Sequence, residues 1–197
     1  IPTKHLSAEE YVGFGPDIED FVDRVVTEYP DAIEAFEIGN EYWRMGETSY
    51  SAKANIAAVS IENGLESAGI SEADQPSIIV QMGSPFSGSE YHSSVDDRGF
   101  IARNADSNQA IIDGLGSEAR SAIDGVVEHY YYDSRGVTFS DRSAEKDFIP
   151  QDFNVWEDNF DKELDLHLTE WNVRINNLSQ NGMVSASVLN EQVEKFA

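Results

Sequence analysis

Four short apolar, β-favouring runs, at Ile33–Gly39, Ser77–Gly83, Gly125–Tyr132 and Leu164–Thr169, recur at roughly 40- to 50-residue intervals with helical patterning between them. This alternation constrains the fold more than any other feature, because consecutive strands joined through helices pair in parallel. Ser7-Ala8-Glu9-Glu10 reads as a capping box. Gly15-Pro16 then predicts a break, with a second helix capped near Asp17 and ended by Tyr29-Pro30-Asp31. Further helices are expected at Tyr50–Ser67 (stopped by Gly69), Ala105–Leu115, Phe153–Phe160 and Val184–Phe196. Two long polar loops, about Ser84–Asn104 and from the third strand to about Asp152, follow strand ends. The order is therefore α-β-α-β-α-β-α-β-α, an α/β chain with four parallel strands. With 197 residues, 40% of them hydrophobic, one core and one domain are expected.

Charge narrows the partners. Thirteen basic against 37 acidic residues give a net charge of −24, which repels nucleic acid and anionic membrane surfaces and leaves neutral or cationic ligands. Such acidity also suits salt- or calcium-rich surroundings, and a secreted or cell-surface location is expected. With no cysteine, disulfides, thiolate nucleophiles and cysteine-ligated zinc are excluded together. No apolar run approaches the roughly 18 residues of a membrane span. The sequence begins at Ile1, not Met, and we expect a fragment of a longer catalytic domain.

The chemistry-bearing residues gather where the strands end. In parallel α/β folds that rim carries the functional groups, because its loops vary without disturbing the core. Ala35-Phe36-Glu37-Ile38-Gly39-Asn40-Glu41-Tyr42-Trp43 and Asp165-Leu166-His167-Leu168-Thr169-Glu170-Trp171-Asn172-Val173 share one design: a β run, then a glutamate flanked by an amide and aromatic rings. Gln81 and the His129–Tyr132 group end the other two strands. Paired strand-end carboxylates are what acid/base-assisted glycoside cleavage requires. Indole and phenol faces at Trp43, Tyr42 and Trp171 suit stacking on C–H-rich sugar surfaces. The remaining candidates are weaker. His167, one step out of phase with Glu170, should point to the opposite face of the strand. His92 reads as a loop residue, and Asp96-Asp97 lacks the Asp-rich pattern of a calcium loop.

On these residues the chain resembles the second half of a retaining glycoside hydrolase (β/α)8 barrel, of the clan with its acid/base glutamate after strand four and its nucleophile after strand seven. Ile38-Gly39-Asn40-Glu41 resembles the acid/base motif of that clan and Leu168-Thr169-Glu170-Trp171-Asn172 the nucleophile motif, with the arabinofuranosidase and β-xylosidase branches the nearest in kind. The resemblance implies a partial (β/α)8 TIM barrel whose four strands are equivalent to strands four to seven. It implies Glu41 as general acid/base, Glu170 as nucleophile, and Asn40 as partner of the sugar 2-hydroxyl. It places His129, Tyr130 or Tyr131 beside the nucleophile. By their strand-end positions, Trp43, Gln81, Trp171 and Asn172 are expected as further saccharide contacts. No cofactor and no metal are implied. Since a full barrel takes about 250 residues, self-association or a partner supplying the missing half is also expected. Two other readings use the same rim: a metal-dependent barrel enzyme ligating through Glu41, His129 and Glu170, and a non-catalytic saccharide-binding or structural remnant.

Overall fold

The computed structural model describes residues 1–133 and 148–174. Four strands, β1 (Ala35–Ile38), β2 (Ser77–Gln81), β3 (Gly125–Asp133) and β4 (Asp165–Arg174), form one sheet in the order β1-β2-β3-β4. Every adjacent pair is parallel, as the alternation predicted. The flanking helices are α1 (Ala8–Glu28), α2 (Glu47–Ser67), α3 (Phe100–Asp113), α4 (Ser117–Ala122) and α5 (Phe148–Glu157). The chain is thus α/β, with a four-stranded parallel sheet. The expected helix at Val184–Phe196 lies outside the described residues.

The helices differ from the sequence expectation in instructive ways. The capping box at Ser7 forms, with Glu10 closing back on the Ser7 backbone. The helix it starts runs through Pro16 without a break. Pro16 and Val12, whose carbonyl the proline leaves without its helical donor, both lie on the exposed face, where solvent can satisfy that carbonyl. Tyr11, Ile18, Val22 and Val26 form the buried stripe of α1, which packs on α2. There Ala54, Ala57 and Ala58 are fully buried. α3 starts at Phe100, ahead of the expected Ala105, and α4 was not foreseen. α5 starts at Phe148 although Pro150 follows, because a proline in the first turn removes only an N–H that is unpaired anyway.

Alternation along the strands separates two faces. Phe36, Ile38, Ile78, Val80, Val126 and Tyr130 join the helices in one core with Ile61, Leu65, Ile111, Ile149 and Trp156. The other face carries Glu37, Ile79, Gln81, Val127 and His129, which the register aligns across neighbouring strands. This face is concave. The Glu37 carboxylate on β1 lies within hydrogen-bonding reach of Thr169 on β4 and 3.4 Å from His129 on β3. A flat sheet would hold β1 and β4 about 14 Å apart, three strand spacings. The outer edge of β1 is also occupied: the Ile1 ammonium donates to the Glu37 carbonyl at 2.6 Å, and Gly39 N–H donates to the Ile1 carbonyl at 2.8 Å.

One irregularity in β4 decides what this face presents. The register runs Val127 opposite His167 and Glu128 opposite Leu168, then skips a residue, so that His129 stands opposite Glu170. The extra residue is a bulge. Val127 and His129 share a face, so their partners His167 and Glu170 do too, correcting the expectation of opposite faces. β4 also continues to Arg174, and Glu170 therefore sits inside the strand, not beyond its tip.

Candidate active site

Glu41 is set by an unusual backbone. It follows Gly39 (φ 89°) and itself adopts a left-handed conformation at φ 49°, ψ 61°, just before a 3-10 turn over Tyr42–Arg44. A non-glycine residue rarely takes this region, and such strain collects at functional positions. No side chain fits at Gly39, since a Cβ there would stand 2.9 Å from the Tyr50 ring. The chain therefore turns inward after β1 and carries Glu41 over the concave face.

A buried polar frame holds that turn. Tyr42 and Tyr50 stack with ring centroids 4.2 Å apart, and both are fully buried. The Tyr50 hydroxyl donates to the Ile38 carbonyl at 2.7 Å and accepts from Gln81 N–H at 2.8 Å, stitching β1 to β2 where their ladder ends. Gln81 Oε1 accepts from Tyr42 N–H at 3.3 Å. Gln81 is thus buried beneath the acid-bearing turn and supports it from below. Glu47, wholly buried, accepts from Ser89 Oγ (2.5 Å), Ser107 Oγ (2.6 Å) and Glu90 N–H (2.9 Å). It ties α2 to α3 and to the loop after β2. That loop presses on the turn so closely that a Cβ on Gly88 would lie 2.3 Å from the Trp43 carbonyl.

The frame delivers three carboxylates to one imidazole. His129 Nε2 lies 3.4 Å from Glu37 Oε1, while Nδ1 lies 3.7 Å from Glu41 Oε1 and 3.7 Å from Glu170 Oε2. The His129 side chain is 1% exposed, and Glu41 and Glu170 are 32% and 41% exposed. Nδ1 and one oxygen of each of Glu41 and Glu170 lie within 4.8 Å of one another, so these residues could also hold a metal ion. Burial opposes a charge on His129, but the Glu37 contact and the charges of Glu170, Glu37 and Glu41 outweigh it and raise the pKa. At Glu37 burial likewise opposes charge, yet the His129 and Thr169 contacts and the nearby cations hold the carboxyl below its usual range. A cavity of about 350 Å³ opens beside the cluster, lined in part by Glu37, Asn40, Glu170, Ile1 and Phe21. Comparison with known protein families, with curated proteins and with solved structures found no match.

The structure brings together Glu41, Glu170, His129 and Asn40, the last exposed at the cavity wall. Trp43 is half-buried, edge-on to Phe86 with centroids 5.0 Å apart. Tyr130, expected beside the nucleophile, is instead buried in the helix-side core, because consecutive strand residues alternate faces. The register sets Tyr131 opposite Asn172 and Tyr130 opposite Trp171; the side chains of Tyr131, Trp171 and Asn172 lie outside the described set. Two residues were missed. Glu37 was signalled by a charge in the middle of the apolar run Phe36-Glu37-Ile38, and Phe86, 49% exposed, carried no signal beyond being an aromatic in a polar loop.

Proposed function

We propose that the chain is part of a retaining glycoside hydrolase of the (β/α)8 type, its four strands equivalent to strands four to seven, acting on a plant- or algal-type poly- or oligosaccharide. The remaining strands would come from a longer chain, a partner or a second copy, in a secreted or cell-surface protein. The observation that carries this reading is the approach of Glu41 and Glu170, with one carboxylate oxygen of each within 4.8 Å of the other across the concave face. Retaining enzymes place their two carboxyl groups about 5 to 5.5 Å apart, and inverting enzymes leave about 6.5 Å or more for a water.

Glu170 attacks the anomeric carbon, and Glu41 first protonates the leaving oxygen and then activates water. This division follows the resemblance of the Asn40-Glu41 and Thr169-Glu170 motifs. The His129 ring lies 3.7 Å from both glutamates and so stands between them. Glu37 anchors the far ring nitrogen and so fixes the ring between the two glutamates. Trp43 and Phe86, edge-on to each other and partly exposed, offer apolar surface on which a sugar ring can stack, and the cavity falls at the lower end of the range of ligand pockets.

The test is chemical rescue in the complete enzyme. Glu41→Gln should spare the first step for aryl glycosides, whose leaving groups need little protonation, while slowing hydrolysis of the intermediate. Azide, which needs no general base, should then restore turnover and give a glycosyl azide of retained configuration. Full activity in this variant without azide, or an inverted product from the unmodified enzyme, would refute the assignment.

A further inference from the structure

We infer that His129 Nδ1 and one carboxylate oxygen each from Glu41 and Glu170 form a binding site for a divalent transition-metal ion of the zinc class. The three donor atoms already face one another, with Nδ1 3.7 Å from each glutamate oxygen and all three within 4.8 Å. Tetrahedral zinc, with bonds of about 2.0–2.2 Å, sets its donors about 3.4 Å apart, so each Nδ1–oxygen pair needs to close by about 0.3 Å and the two partly exposed glutamate side chains by up to about 1.4 Å towards each other.

Three further observations point the same way. His129 is 1% exposed, and among the described residues its Nδ1 makes no hydrogen bond, a costly condition for a buried polar atom that a ligand at Nδ1 would relieve. Glu37 stands at the opposite nitrogen, Nε2, at 3.4 Å. That is the place of the carboxylate which orients a metal-bound histidine and leaves its other nitrogen free to ligate. Finally, Glu37, Glu41 and Glu170 outnumber the one imidazole, so this buried ring lies in a field that draws cations.

The donor set narrows the ion. One imidazole and two carboxylates, with no thiolate, suit zinc, cobalt or manganese better than soft monovalent copper. Three protein ligands also leave a coordination position for water. Both glutamates are partly exposed, so an ion can enter from solvent. Metal binding stands independently of the glycosidase reading. Only its consequence rests on that reading: an ion bridging Glu41 and Glu170 would occupy both catalytic carboxylates and inhibit turnover.

Cobalt(II) titration of the chelator-treated complete protein, followed by visible absorption, tests the site directly, with zinc(II) calorimetry alongside. The expected result is one cobalt per chain, displaced by zinc. Glu170→Gln and His129→Gln should each weaken binding at least about tenfold, and Glu37→Gln by on the order of 10- to 100-fold, with circular dichroism unchanged. Glu170→Gln, at a partly exposed position, decides the case should His129→Gln fail to fold. Absence of cobalt binding at millimolar concentration, or affinity unaltered by Glu170→Gln, would overturn the inference. Either result leaves azide rescue of Glu41→Gln to be judged separately.

Discussion

Glu128 and His129 are neighbours on β3, yet they enter opposite worlds. Glu128 faces the helices, where it is buried and feels the charge of Asp152 of α5, whose carboxylate accepts from the Asn104 side-chain amide. Burial, with the Asp152 charge, pushes Glu128 well above the usual carboxylate range, and burial pushes Asp152 up to about 8. His129 faces the concave side, where Glu37 is held below its usual range by that same imidazole and by Thr169, against the opposing effect of burial. Burial beside another carboxyl drives Glu128 and Asp152 towards the neutral form, whereas the histidine beside Glu37 keeps that carboxyl charged.

The largest effect should separate the two faces by activity. On the proposed function, Glu170→Gln removes the nucleophile and should lower turnover of the complete protein by several orders of magnitude for every substrate. Glu128→Gln, one residue from His129 but on the helix side, should change it by no more than a few-fold. Steady-state kinetics on one aryl glycoside decide between them, and comparable losses would erase the distinction.

A smaller effect should appear in stability against pH. The folded-state pKa of Asp152 is raised, so the favourable neutral form is fully present below the unfolded carboxyl range and its contribution is lost as pH rises towards about 8. Across that window stability should fall by about 1.4 kcal/mol per pH unit from this group. Asp152→Asn should remove that share of the slope and be neutral or stabilising above pH 7, as read by urea denaturation at several pH values. A slope unaltered in the variant would show that Asp152 is not the group responsible.

A third effect concerns the strained turn. Gly39→Ala adds a Cβ at φ 89° against the Tyr50 ring and should cost about 1–3 kcal/mol. It should also impair catalysis beyond that loss, because Glu41 depends on the same turn. An equilibrium unfolding curve and kcat measured well below the melting temperature separate the two consequences.

Much of this was legible before the fold was known. The strand-helix alternation fixes a parallel sheet through general pairing rules, and the Asn40-Glu41 and Thr169-Glu170 contexts mark both glutamates. Less legible was the phase of β4, because a bulge depends on the partner strand, and it turns His167 onto the side of Glu170. Tyr130 misled for the reverse reason: its rim position suggested substrate contact, while alternation from His129 sends it into the core. Pro16 suggested a break that tertiary packing of the α1 stripe overrides. The Glu47 network joins residues 47, 89, 90 and 107, a long-range closure for which the sequence carries no local pattern.

The roles of the two facing glutamates are tested most directly by trapping. The complete enzyme would be incubated with an aryl 2-deoxy-2-fluoroglycoside, which slows both steps and lets a glycosyl ester accumulate, and then digested and mapped by mass spectrometry. A single fluoroglycosyl increment on the peptide containing Glu170, absent from Glu170→Gln, is the expected result. An increment on Glu41, or inverted product with no adduct on either glutamate, would contradict it.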